Sequence, residues 1–407
     1  MRSEKNESEA RLKNIPRSVW MLGLVSLFMD MSSEMAHAVL PLFVVGTLGA
    51  SVAVLGLLEA VANGTTHFAK LYSGIISDRF QSRKNLALLG YALAALSKPL
   101  FPLAQAPLMV FVARISDRIG KGIRGAPRDA MVADITPPEL RGAAFGLRQS
   151  MDSFGAFAGP LIAVVLVGLY AFGIRDLLWV ACFPALVCVA VLAFGVSEPA
   201  AKTEIKKIRP QLNLATAKAL GGPFWKVMAI AAAILVARIS DAFLVLRGSE
   251  LGLSLVFIPL VLVVYNGVDT LSSYPSGRLS DRLGRKGLLA ASLVALAISL
   301  GILALNGGLP AFWVALVFYG LHMAFSQSVL SSFVADAAPA PLRGTAFGML
   351  GLVSGLATFF ASLLIGLAWD RFGAQAVFGA GALVALLALM GLALISRDEA
   401  PENAPRS

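Results

Sequence analysis

Charge is scarce in this sequence: Asp, Glu, Lys and Arg make up 14% of 407 residues, against 57% apolar. A chain this poor in charge, with a mean hydropathy of +0.77, has too little polar surface to clothe two soluble domains, and its composition is that of a membrane-spanning protein. Cysteine is almost missing. Cys182 and Cys188 share one apolar segment, which suits packing or lipid-facing positions and excludes a disulfide framework. Three histidines, His37, His67 and His322, are too few for a multi-histidine metal site. No Gly-x-Ser-x-Gly, paired His/Asp ligand set, phosphate-cradling loop or nucleotide-binding cassette is present. A membrane enzyme, a lipid-modifying protein and an ATP-driven pump therefore lose their chemical basis, and no cofactor or metal is called for.

What is abundant is long apolar runs. Segments near 18–48, 52–76, 85–103, 107–133, 142–171, 177–196, 223–247, 253–276, 287–305, 310–336, 343–368 and 374–396 are each long enough to cross ~30 Å of hydrocarbon as a helix. They are spans 1 to 12, and they predict an all-α membrane protein, since the alternation of barrel strands is missing. The first run is too long, and lacks the small-residue cleavage site, for a removable signal peptide.

The net charge of +10 is not a nucleic-acid signature, because of where it lies. Lys and Arg gather in the N-terminal arm and in alternate loops, at Arg79, Arg83 and Lys84, at Lys202, Lys206, Lys207 and Arg209, and at Arg278, Arg282, Arg285 and Lys286. The intervening loops near Ala50, Gln105, Ala171, Gly252 and Gly307 are short and nearly uncharged. The positive-inside rule then places both termini in the cytoplasm, with the chain in the cytoplasmic (inner) membrane.

The sequence also repeats itself at an offset of about 202 residues. "VADITPPELRGAAFG" (132–146) and "VADAAPAPLRGTAFG" (334–348) agree at ten of fifteen positions. The expected organisation is an arm (1–17), a six-helix bundle (18–196), a polar basic linker (197–222), a second bundle (223–396) and a tail (397–407). Parallel six-helix repeats are a transporter architecture with a site near the bilayer midplane. On this repeat and linker, the chain resembles the major facilitator superfamily (MFS) over essentially its whole length.

The motifs extend the resemblance. The superfamily's cytoplasmic signature, Gly-x-x-x-Asp-Arg followed by Gly and two basic residues, is matched by Gly277, Asp281, Arg282, Gly284, Arg285 and Lys286. The first-half copy has Gly74, Asp78, Arg79, Arg83 and Lys84, with "FQS" making its turn one residue longer. Gly allows close helix approach, Asp can face a helix N-terminus, and Arg can pair with carboxylates, so the motif implies a cytoplasmic gate latch. Basic loops that only set topology are the alternative. In span 5, Gly146, Gly155, Gly159 and Pro160 are similar in spacing to the antiporter motif of drug/proton exchangers; small-residue packing alone is the competing reading.

Charges inside spans mark the candidate site. In span 4, Arg114, Asp117, Arg118 and Lys121 fall at i, i+3, i+4 and i+7 and share a face that should line the pathway. The resemblance implies a part in proton coupling for Arg118, followed four residues on by Gly122, whereas Arg124, Arg128 and Asp129 are expected to snorkel or pair locally. In span 1, Asp30, Glu34 and His37 form one stripe with Pro41. Lipid-facing carboxylates are costly, so the stripe should face the interior and carry a proton, with Arg118 as the cationic partner; a purely structural ion pair with Arg118 or Arg238 is the alternative. Arg238 and Asp241 in span 7 are expected to form an i, i+3 pair, with Asp269 of span 8 adding to it, while Lys98, Glu59 and Arg247 are expected to snorkel. Together these point to a monomeric, proton-coupled efflux transporter of a small polar or amphiphilic molecule, with a proton-coupled importer of a nutrient or metal chelate, or a non-transporting sensor, as alternatives. The mixture of Arg114, Arg118 and Arg238 with Asp30, Glu34 and Asp241 suits an anionic or zwitterionic solute.

Overall fold

A computed structural model describes residues 15–79, 83–137, 140–197, 220–337 and 343–398. Most of the N-terminal arm, the linker and the tail, and the "FQS" turn, lie outside the described residues. Among the described residues the chain is helical and has no strand: α1 Arg17–Leu42, α2 Val52–Arg79, α3 Arg83–Ser97, α4 Leu100–Leu103, α5 Pro107–Ile135, α6 Arg141–Tyr170, α7 Ile174–Val180, α8 Cys182–Gly195, α9 Gly221–Ala237, α10 Asp241–Glu250, α11 Leu260–Ala304, α12 Gly308–Ala337 and α13 Arg343–Asp398. Helix is the only way for a lone apolar segment to satisfy its own backbone in lipid.

Nine stretches among the described residues are long and apolar enough to cross a membrane: Arg17–Thr47, Val52–Ala69, Arg83–Leu103, Ala143–Tyr170, Ile174–Gly195, Phe224–Glu250, Lys286–Ala304, Gly308–Ser326 and Met349–Ala393. α5 has the length but carries the charged face of span 4. Leu260–Ser273 is apolar but shorter, and Met349–Ala393 holds two helices that meet at Gly373, where φ is 79°.

The breaks have local causes. Pro41 lies inside α1, and one π-helical turn, Phe43–Thr47, follows it; Pro removes a backbone donor and crowds the preceding turn. Gly284 (φ 69°, ψ 164°) splits α11 as Gly373 splits α13, in a region of backbone space that strains any residue with a Cβ. Span 7, expected to be continuous, leaves the helix at Arg238 (ψ 104°) and resumes at Asp241.

The chain divides into two compact units. One gathers the described residues within 1–50, 61–207 and 254–263, the other those within 51–60, 208–253 and 264–407. Each unit therefore holds a ten-residue segment that the sequence would place with the other, and the two segments, 51–60 and 254–263, are related by nearly the repeat offset. Inside the first unit α1 packs on α6 and α8, and α3 on α5 and α8; inside the second α9 packs on α13 and α12. The first core joins Val19, Leu22, Val25 and Met29 to Tyr91, Cys188 and Leu192. The second joins Ile230 and Ile234 to Leu288, Leu293 and Leu392. Large apolar side chains such as Leu108, Phe183, Phe194 and Leu387 face outward, as a lipid-facing surface requires.

Candidate functional site

The polar interior of the first unit is built on α5, whose charges recur every three or four residues and so lie along one face. Lys98, in the short break after α3, places Nζ 2.9 Å from Asp117 Oδ1 and 3.1 Å from Ser33 Oγ of α1. Arg118 Nη2 lies 3.2 Å from the other Asp117 oxygen, so one carboxylate serves two cations. Arg114 Nη2 is 2.6 Å from His37 Nδ1. A guanidinium can only donate, so Nδ1 accepts and any ring proton of His37 sits on Nε2.

Asp30 meets Arg124 at 3.9 Å and stands near Lys121 and near Asp152 of α6. Lys121 also lies near Glu34. Arg128 donates to Ser26 Oγ (3.1 Å) and Asp129 (3.0 Å) and approaches Asp152 (3.8 Å). Arg148 approaches Asp129 and Asp152 at 3.8 and 3.7 Å. Three helices thus share an ionic lattice. Such a lattice persists in low dielectric only while every charge keeps its partner.

These contacts correct several expectations. The close cation of Asp30 is Arg124, one helical turn and a half beyond Arg118, because α1 crosses α5 at that level. Arg124 does not snorkel: it is 4% exposed and lies over the Tyr91 ring at 4.7 Å. Arg128 is likewise drawn inward by Asp152, and its bond to Asp129 is the local pairing expected of it. Lys98 and Glu59 are each 2% exposed, so they are buried side chains and not surface anchors; the buried Lys98 is the main residue that sequence reasoning missed. Arg247, also buried, reaches Asn306 Oδ1 at 3.0 Å and Glu250 at 3.3 Å.

In the second unit Arg238 hydrogen bonds to neutral groups, with the Asp269 carboxylate near enough to act on it through charge alone. Arg238 Nη2 donates to Ser326 Oγ at 2.6 Å and Nε donates to His322 Nε2 at 3.3 Å. His322 must then carry its proton on Nδ1, which lies 2.8 Å from Ser292 Oγ and 3.1 Å from Ser292 O. Tyr319 donates to the Ile239 carbonyl at 2.6 Å, satisfying a group the break after α9 leaves open. Asp241 accepts from Tyr265 OH at 3.0 Å and from its neighbour's Ala242 N–H at 3.1 Å. The i, i+3 pairing expected of Arg238 and Asp241 needs a continuous helix, and the helix ends at Ala237. Asp269 accepts from Ser273 on its own helix, and no hydrogen bond joins it to the Arg238 group among the described residues.

The span 5 glycines have a plain packing role. A Cβ on Gly155 would overlap the Leu27 carbonyl, and one on Gly159 the Met31 carbonyl, so both let α6 press against the α1 backbone. Gly146 faces open space, and Pro160 lies inside α6. Of the cytoplasmic gate motif, Gly74, Asp78 and Arg79 fall in α2 and Gly277, Asp281, Arg282 and Arg285 in α11, and only their backbone is described. Arg83 pairs with Asp134. Lys84 Nζ donates to the Ala193 carbonyl at 2.8 Å, in the last turn of α8, where a cation complements the helix dipole.

This arrangement, a helical protein of two repeat-related units with charged interiors, has relatives among known proteins. The chain is 27% identical to an uncharacterized MFS-type transporter of Methanocaldococcus jannaschii over 406 residues, covering 96% of this chain and 97% of that one. Over 118 residues, 29% of this chain and 28% of the relative, it is 35% identical to the multidrug resistance protein MdtH of Proteus mirabilis. A crystal structure of the nucleoside transporter NupG superposes with a TM-score of 0.79 at 15% identity, covering 95% of this chain and 100% of that one. The sequence profile of the Major Facilitator Superfamily matches residues 22–246 and 229–407, so the chain belongs to that superfamily and is a multi-pass membrane transporter of the MFS type.

Proposed function

We propose that the protein is a proton-coupled exporter of a small polar or amphiphilic molecule, working by alternating access with both termini in the cytoplasm. The proposed organisation is a six-helix bundle over 18–196 and another over 223–396, joined by the linker 197–222. The observation that supports proton coupling is the cluster of cations around two interior carboxylates: Arg124 stands 3.9 Å from Asp30, and Arg128 and Arg148 stand 3.8 and 3.7 Å from Asp152. Protonating either carboxyl would loosen its hold on these cations, and losing the proton would restore it. Glu34, His37, Arg114, Asp117 and Arg118 continue the same lattice toward Lys98. Substrate and proton then compete through shared cations.

The outward direction is supported by the partial similarity to a multidrug resistance protein and by the glycine spacing of α6. The test uses everted membrane vesicles with an imposed pH gradient and a wide compound panel. Asp30→Asn and Glu34→Gln should weaken or abolish gradient-driven accumulation, and Asp30→Asn should leave substrate binding measurable but insensitive to pH. Undiminished accumulation by the double variant would remove these residues from coupling. Accumulation only in right-side-out vesicles would make the protein an importer.

A further inference from the structure

The Gly-x-x-x-Asp-Arg-x-Gly string of the cytoplasmic gate occurs once more, as Gly366, Asp370, Arg371 and Gly373. The backbone repeats with it. Gly373 (φ 79°, ψ 167°) adopts the conformation of Gly284 (φ 69°, ψ 164°) at the corresponding place of 277–284. Within a six-helix half of this fold the two three-helix groups are related by inverted topology, so a copy at 366–373 belongs at the opposite membrane face from 277–284.

Here the aspartate can be seen at work. Asp370 Oδ1 accepts from Val52 N and Oδ2 from Ala53 N, both at 2.9 Å. The next donor, Val54 N, has Ser51 O at 3.1 Å, and Leu55 N has Ser51 O at 3.3 Å. The four N–H groups that open α2 are thus all satisfied, two of them by a carboxylate from a helix more than three hundred residues away. Beside this cap Gly56 and Gly366 touch backbone to backbone: a Cβ on Gly56 would stand 2.6 Å from Ser362 O and 2.7 Å from Gly366 Cα.

The turn that presents Asp370 is braced within its own unit. Trp369 Nε1 donates to Glu250 Oε1 at 2.9 Å, and Glu250 pairs with Arg247. By contrast, α2 passes from one unit to the other, its first turns (51–60) packing with the second and the rest with the first. The carboxylate and the helix end that it caps thus lie in one unit, and the same helix continues into the other.

We propose that Asp370 is a gating residue for transport: its carboxylate caps α2 to hold the extracytoplasmic ends of α2 and α13 together in one state of the cycle, and it must let go in the opposite state. The assignment to the extracytoplasmic face rests on the topology proposed above. The interaction exists only in the docked state, so its removal acts on the equilibrium between states and not equally on both. Losing two charge-assisted bonds corresponds to a shift of about tenfold or more in the ratio of docked to undocked molecules.

The experiment is a pair of nitroxide labels at Leu57 and Phe372, both exposed, read by pulsed dipolar spectroscopy in purified, monodisperse protein. The wild type should give a dominant short distance. Asp370→Asn should shift that ratio about tenfold toward a longer-distance population, with lower turnover, and Asp370→Glu should lie between them. Gly56→Ala is the second variant: it leaves the carboxylate in place but obstructs the approach, and should shift the distribution in the same direction. Distributions unchanged in both Asp370→Asn and Gly56→Ala would overturn the proposal, as would a shift toward the shorter distance. The readout needs neither substrate nor proton gradient, so a chain that exports nothing under a pH gradient would sink the exporter reading and leave this one standing.

Discussion

The interiors of the two units were built on one repeat and solve the problem of buried charge in opposite ways. In the first, Asp117 is shared by Lys98 and Arg118, and Asp30, Asp129 and Asp152 face Arg124, Arg128 and Arg148. In the second, Arg238 has a serine and a histidine, and Asp241 a tyrosine. The repeats that survive in the sequence are the segments 132–146 and 334–348 and the two copies of the gate motif, while the polar interiors have diverged. One repeat can thus carry asymmetric chemistry, with carboxylate–cation pairs concentrated in the first unit and an arginine hydrogen bonded to neutral groups in the second.

The sharpest way to break the comparison is to remove one carboxylate from each interior. Asp117→Asn strands two cations in low dielectric and should cost about 3–5 kcal/mol of stability, read as a fall in the unfolding midpoint in detergent. Adding Lys98→Met should recover much of the loss. Asp241→Asn keeps one of the two acceptor oxygens, so either the Tyr265 bond or the bond to the first turn of α10 is lost while no cation is stranded, and about 1–2 kcal/mol is expected. Equal costs would mean that the two interiors are electrostatically alike.

A smaller effect tests what the halves share. In each, an arginine donates to one nitrogen of a buried histidine, His37 through Nδ1 and His322 through Nε2. Removing a neutral acceptor from a charged donor is worth about 1.5–3 kcal/mol. His37→Ala and His322→Ala should therefore lower the unfolding midpoint by similar amounts, and glutamine, which restores an acceptor oxygen, should recover part of it at both sites. A cost at only one histidine would show that the resemblance between them is superficial.

How much of this was legible in advance follows from which forces are local. Span lengths, the repeat and the inward stripes of α1 and α5 can be read from periodicity, because lipid penalises any other arrangement. The break at Arg238–Ser240 could not: "VARISDAF" contains neither Pro nor Gly, and the freed Ile239 carbonyl is satisfied by Tyr319, eighty residues away. Lys98 was missed for a similar reason. A lysine beside a proline near a helix end looks like an interfacial anchor, and only the register of α3 against α5 reveals that it points at Asp117. That register also decides that Asp30 meets Arg124 and not Arg118. The second full Gly-x-x-x-Asp-Arg-x-Gly string was visible as letters, but its meaning depends on what stands opposite Asp370, which no local pattern encodes.

The smallest predicted effect concerns how closely helices approach in the two halves. Gly155 and Gly159 leave no room for a Cβ between α6 and the Leu27 and Met31 carbonyls of α1. The residues 202 positions on are Ala357 and Ala361, so the corresponding helix of the second unit tolerates a methyl group at both places. Alanine favours helix by about 1 kcal/mol over glycine, which opposes the steric cost in the first unit and is unopposed in the second. Gly159→Ala should therefore destabilise by about 1–2 kcal/mol net, since relief requires α6 to back away from a backbone and not from a flexible side chain. Ala361→Gly should cost about 1–2 kcal/mol, with helix propensity and the loss of one buried methyl group acting in the same direction and no steric term. The measurement is the unfolding midpoint of each single variant and of Gly146→Ala, whose added methyl would meet open space and should be neutral or slightly stabilising. If Gly159→Ala proved as harmless as Gly146→Ala, the span 5 glycines would not be needed for packing, and their spacing would have to be explained by the transport cycle alone.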